Sequence, residues 1–340
     1  MFVLAFISTL YIKMGSGPEW NISASLESKD CQENWWINAL YLNNIVRTET
    51  MCHRVSWYLA ADMQLFIVSV PLVYLLIKKP EMGRITLWIF LVASLVIPFC
   101  VVYYHHLDPI LLTYSKSLRD FGTNHTYRTA YIPSYMRATP YFIGILTGYL
   151  VHYLNNSNKK ISVLQANCMQ IGAFILGFLP LLSSSMFYQS NFVYNPLIAA
   201  AFSSLQRLSW GTSILFGFLV FNAGKEWSVM KILSAKVFVP LGKLTYSAYL
   251  VHILPQFYDA FSAKTLVHIS WYGMIHQTLG DVVIAYSLAF VLSMAIEAPW
   301  LNMEKFLLRK YQPSAVHGKS ESTQSSDHKC SLMKDIEKPV

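Results

Sequence analysis

The chain has 340 residues, 54% hydrophobic and only 13% charged, with a formal net charge of +8. Soluble domains carry roughly 25% charge and their helices must turn a polar face to water, so this composition excludes an ordinary soluble domain. It indicates an all-α polytopic transmembrane bundle; nucleic-acid binding is a poor alternative, because the basic residues form no cluster with an aromatic stripe and no known motif.

Residues 1–12 (MFVLAFISTLYI) are apolar but too short to span. They have neither the basic start nor the small-residue cleavage site of a signal peptide, so they read as the outer end of a helix whose beginning is missing. The loop 13–55 follows, with Cys31 and Cys52 separated by 21 residues and the sequon Asn21-Ile-Ser. On the oxidising side of a membrane such a pair forms a disulfide and such an asparagine accepts a glycan.

Complete membrane helices are predicted near 57–77, 85–104, 138–154, 162–181, 197–222, 242–261 and 276–300, seven spans in addition to the partial N-terminal one. Residues 85–104 run 20 positions without Asp, Glu, Lys or Arg, the ~20 residues that cross a bilayer core. Residues 161–206 run 46 positions without such a charge, divided by Pro180, the run Ser183-Ser184-Ser185 and SNFVYNP at 190–196. The loops at 78–84, 155–160 and 224–236 hold eight Lys and Arg in 26 residues, against nine in over 100 for the loops at 13–55, 105–137, 182–196 and 263–275. The dense set is cytoplasmic by the positive-inside rule. That puts Asn21 and Asn124 (Asn124-His-Thr) outside and Asn155 (Asn155-Asn-Ser) inside, so glycosylation is expected at the first two. A transmembrane domain at 1–303 then precedes a polar, Ser-rich segment, 304–340, expected to be disordered and cytoplasmic. Cys100 and Cys168 read as small packing residues within helices, and Cys330 has no CaaX ending after it.

Ionisable residues inside spans are costly and are therefore functional candidates. Asp62, Arg207, His252, Asp281 and Glu297 fall in this group, and Arg137 stands at the outer start of a span. Ser203, Arg207, Trp210 and Ile214 share one helical face, as do Thr245, Tyr249, His252 and Gln256 on another helix, which suggests wet or hydrogen-bonded interior surfaces. Arg207 suits either interhelical bonding or a phosphate or carboxylate ligand. His252 suits a structural or a catalytic role. Asp62 and Glu297, near helix ends, suit structural pairing. His105-His106 with Asp108 is an incomplete ligand set, and no metal is expected. No GxSxG, HExxH or P-loop occurs.

Taken together, several words carry a resemblance: GSGPEW at 15–20, Cys31, NWW at 34–36, LYLNN at 40–44, CHRVSWYLAADMQLF at 52–66, YIPSYMRATPYFIGILTGYL at 131–150, RLSW at 207–210, PLGKLTYSAYLVH at 240–252 and EAPW at 297–300. In this order, over about residues 1–310, the sequence resembles the acyltransferase 3 domain of the nose resistant to fluoxetine family. The resemblance implies transfer of an acyl group, not an amino-acyl group, from a thioester donor, acyl-CoA, to a hydroxyl acceptor at the membrane. It implies roles for Arg137, Arg207, Trp210, Tyr246 and Tyr249 in substrate or cofactor binding, with His252 left as the one candidate base. The family's proposed catalytic His lies on a helix expected before Met1, so the chain reads as a domain lacking its first helices, and as an inactive fragment if that helix is essential. Partners are then membrane lipids, the acyl donor and the acceptor, in the plasma membrane or an endomembrane. A transporter for lipids or drugs is the alternative function; a seven-helix receptor, suggested by span number alone, lacks that class's Asp-Arg-Tyr and Asn-Pro-x-x-Tyr words.

Overall fold

The computed structural model describes residues 1–112, 122–157, 161–189, 191–224, 232, 234–265 and 270–311. The described residues are helical throughout, with no strand among them. Helix α1 (Phe2–Thr9) buries Val3, Leu4 and Ile7. The segment expected as an outer loop is a 20-residue helix, α2 (Trp20–Ala39). Its polar surface would not hold a helix unaided; the neighbouring α1 and a covalent bond do so. Ser28 and Gln32 donate to the Ser8 carbonyl at 2.9 and 2.8 Å, Trp20 donates to Ile12 at 2.9 Å, and a disulfide joins Cys31 to Cys52.

Helices α3 (Trp57–Lys78) and α4 (Pro80–Tyr104) form a hairpin whose close turn requires Gly83, since a Cβ there would lie 2.6 Å from the Leu76 backbone. Helix α5 (Ser134–Asn156) packs on both. Helix α6 (Val163–Ser184) opens with a capping box of Ser162 and Gln165, and α7 (Pro196–Asn222) with Asn195 accepting from Leu197 N–H at 2.9 Å. Each end thus satisfies backbone donors that a helix leaves orphaned. Hydroxyl groups stitch the bundle: Ser209 and Ser213 donate to carbonyls of α6, and Ser204 and Thr139 to carbonyls of α4. Such bonds, with close packing, hold helices together where lipid offers no hydrophobic drive. The core of this part includes Leu72, Leu87, Phe142, Leu219 and Val220.

The span expected at 242–261 is broken into α8 (Phe238–Lys243), α9 (Thr245–Val251) and α10 (Ile253–Ser262). Pro255 has no N–H to give the carbonyl four residues back, and the helix interrupts at His252. Helix α11 (Trp271–Leu292) passes through a π-turn, Ser293–Glu297, into α12 (Ala298–Tyr311), so the helix runs beyond the predicted boundary at 303. Pro299 has the same missing donor two residues after that turn. Helices α1, α2, α9, α10 and α11 share a second core containing Tyr11, Trp20, Cys31, Cys52, Val251 and Ala289. The rest of the predicted tail, 312–340 with Cys330, lies outside the described residues.

Among the described residues, four helical stretches are long and apolar enough to cross a membrane: Arg54–Lys78, Pro80–Tyr104, Val163–Tyr188 and Trp271–Leu308. The protein is thus an all-α, multi-pass membrane protein. Helices α5 and α7, counted among the seven expected spans, fall short in apolar character, because Arg137, Arg207 and several Ser, Thr and Tyr residues interrupt them.

Candidate functional site

The break between α9 and α10 places His252 at a bend. Its Nδ1 lies 2.7 Å from the Tyr249 carbonyl. A carbonyl only accepts, so Nδ1 carries the proton, and in the neutral ring Nε2 is the basic nitrogen. Thr245, Tyr249, His252 and Gln256, the row read from helical spacing, all line one cavity of about 350 Å³, faced by Thr278, Asp281 and Tyr286 of α11. The Tyr249 hydroxyl donates to the Val55 carbonyl, fixing α9 against the start of α3.

A second cavity, about 300 Å³, contains both candidate arginines together with Asp108, Thr126, Gln206 and Trp210. The Arg137 Nε donates to the Tyr131 carbonyl at 2.9 Å, and its guanidinium lies 4.4 Å from the centre of the Tyr131 ring and 5.1 Å from that of Trp57. Arg207 donates to the Ser203 carbonyl and hydroxyl at 3.1 and 3.0 Å and to the Ala130 carbonyl at 3.2 Å. These three bonds leave part of its five-donor fork unused. Neither arginine has an ion pair among the described residues. Asp108, the one carboxylate on the wall among the described residues, accepts from Thr126 at 3.3 Å instead. Among the described residues the cavity therefore has two cations against one anion.

Aromatic rings connect the two cavities. Trp57 meets Tyr131 at 5.2 Å and Tyr58 at 5.8 Å, Tyr58 meets Tyr249 at 6.0 Å, and Tyr249 meets His252 at 5.9 Å. A row of ring contacts thus runs from the cavity of Arg137, Arg207 and Trp210 to that of Tyr249 and His252. The other sequence candidates lie elsewhere. Tyr246 is 53% exposed and lines neither cavity. Glu297 accepts from Ser247 at 2.6 Å and ties the π-turn to α9. Asp62, expected in a structural pair, is exposed and makes no hydrogen bond or ion pair among the described residues, because its helical position faces away from the bundle. Asn21 is exposed on α2, and Asn124 accepts from the Tyr127 N–H at 3.0 Å.

Sequence reasoning missed the groups beneath the disulfide. His53, 2% exposed and at φ 51°, bonds the backbone of Leu250 and leaves Nε2 buried without a partner among the described residues. Burial, then the nearby charge of His252, lowers its pKa to about 4. The Glu27 carboxyl lies among packed atoms although the residue as a whole is half-buried; burial raises it to about 7, with Arg54 and the His53 backbone N–H opposing and Asp30 adding. The word CHR beside a disulfide cysteine was the available signal.

Residues 1–298 match the family described as Acyltransferase domain. The chain belongs to this acyltransferase family. Nose resistant to fluoxetine protein 6 of Caenorhabditis elegans is 28% identical over 321 residues, 90% of this chain and 38% of that protein. The chain thus spans well under half the length of that relative. No solved structure matches it.

Proposed function

We propose that this acyltransferase-family chain moves an acyl group from a thioester donor, acyl-CoA, to a hydroxyl acceptor at the membrane. The match over residues 1–298 carries the reading; the tied Nδ1 of His252 beside a 350 Å³ cavity supports that residue as general base. His252 Nε2 takes the proton of the acceptor hydroxyl, whose oxygen attacks the thioester carbonyl. The new C–O bond forms, the C–S bond breaks, and the imidazolium returns the proton to the departing thiolate. Tyr249 holds the imidazole in that tautomer through its carbonyl.

The reading extends to topology. Helices α5 and α7 cross with the four more apolar stretches and the α8–α10 segment, giving seven spans; the end of the chain is cytoplasmic, Asn21 and Asn124 are glycosylated, and the protein resides in the plasma membrane or an endomembrane.

The test is release of free thiol from acyl-CoA by the purified chain in nanodiscs, with a panel of hydroxyl acceptors. His252→Gln should lower turnover by about 100-fold or more, the usual range for a lost general base. Unchanged turnover in a monodisperse His252→Gln protein rules out His252; no turnover in the wild type rules out catalysis by this chain. A transporter for lipids or drugs is the second reading, favoured by the apolar cavity of about 590 Å³ between α6 and α7, and lipid flux without thioester turnover would select it. The receptor reading rested on span number alone and gains no support from the family.

A further inference from the structure

Trp210 belongs to two cavities of opposite character. On one side is the space shared by Arg137 and Arg207; on the other is the apolar groove between α6 and α7, about 590 Å³. Arg207 stands one turn before Trp210 on α7, and Ile214, Phe218 and Phe221 continue the same face, each roughly half exposed. The rise from Trp210 to Phe221 is ~16 Å at ~1.5 Å per residue. Phe174, Phe178 and Leu181 of α6 form the opposite wall. A cationic end followed by an apolar channel of that length matches an amphiphile with an anionic head and one chain.

We infer that the Arg137–Arg207 cavity and the α6–α7 groove together form a binding site for a single-chain anionic lipid. The head occupies the cavity, held by guanidinium donors not used by Ser203, Ala130 and Tyr131. Charge complementarity commits the occupant: among the described residues the two arginines face one carboxylate, Asp108, which is bonded to Thr126. The indole of Trp210 sits at the junction, where an amphipathic ring meets both environments. A phosphate and a carboxylate head both satisfy such a fork. The site rests on this geometry and not on acyl transfer, so it stands or falls by binding alone.

The experiment measures equilibrium binding of tritiated oleoyl lysophosphatidate to the whole chain in phosphatidylcholine nanodiscs. Oleate, oleoyl lysophosphatidylcholine and inorganic phosphate serve as competitors. Preference for lysophosphatidate or oleate over lysophosphatidylcholine by at least 10-fold supports the site, and the better competitor names the head. Equal competition by lysophosphatidylcholine overturns it, as does inorganic phosphate competing at the concentration of the lysolipid. Arg207→Gln should weaken lysophosphatidate at least 10-fold while Arg207→Lys retains most affinity. Ala173→Phe, filling the groove, should weaken both anionic lipids by a similar factor. Unchanged affinity in monodisperse Arg207→Gln or Ala173→Phe protein overturns the assignment. The competitor series is read on the wild type and decides the matter even where a variant does not fold.

Discussion

Among single residues, the least visible in sequence were the titrating ones. His53 approaches His252 only because the disulfide fixes Cys52 beside α2 and the Val251 region packs against both. No local pattern encodes a contact across some 200 positions, whereas the His252 row was legible because four polar residues recur at helical spacing. Glu27 gives the measurable consequence. Its folded pKa is raised to about 7 from the ordinary 4.5. The folded state therefore keeps a proton that the unfolded chain has lost, and this contribution to stability is full below pH 4.5 and lost as pH rises through 7. His53 acts in the opposite sense: lowered to about 4, its contribution is full above 6.5 and lost as pH falls through 4. Comparing Glu27→Gln with the wild type cancels the histidine. The variant's gain in melting temperature should grow by several degrees from pH 5 to pH 8, measured by differential scanning fluorimetry in detergent. A gain independent of pH would mean that the carboxyl titrates normally.

At the level of the element, charge-free length identified α4 and, with the breaks at Pro180 and Ser183-Ser184-Ser185, α6 directly. The breaks were harder to read, since Pro255 and Pro299 each admit a kinked continuous helix, and only tertiary contact decides where the interruption falls. Helix α2 was missed because its polar face carries no period; its partners are α1 and a disulfide. Close helix approach was likewise hidden in composition and becomes a prediction at Gly211. A Cβ there would lie 2.5 Å from Ile143 Cδ1 and 3.4 Å from the Pro140 Cα of α5. The isoleucine tip can rotate, but the backbone at Pro140 cannot yield as easily. Gly211→Val should therefore destabilise the α5–α7 pair by about 1–3 kcal/mol, the usual cost of overpacking. Gly148→Ala, in the same bundle with nothing within 4 Å of the added carbon, should be neutral or slightly stabilising. Denaturant titration in mixed micelles, followed by tryptophan fluorescence, separates the two.

For the molecule as a whole, the decisive question is whether α5 and α7 cross the bilayer. Helix α5 has 23 residues, ~34 Å at ~1.5 Å per residue against a core of ~30 Å, so length permits it. Its polar groups are also accommodated inside the bundle: Thr139 donates to Ser94 of α4, and Arg137 points to Tyr131 and Trp57. A helix that hides its polar side chains against neighbours needs less apolar surface overall. The sequons turn this into a direct measurement, because Asn124 precedes α5 and Asn155 lies at its far end. If α5 crosses, only one of the two can meet the glycosylation machinery, and the dense Lys and Arg of the short loops predict a cytoplasmic Asn155. Asn155 also accepts from Asn222 at 3.0 Å, pinning the far ends of α5 and α7 together. Expression in microsomes should therefore give glycans at Asn21 and Asn124, each removed by its Asn→Gln substitution with one step in gel mobility, and no change for Asn155→Gln. Modification of both Asn124 and Asn155 would place both ends of α5 on one side and reduce the crossings to the more apolar helices.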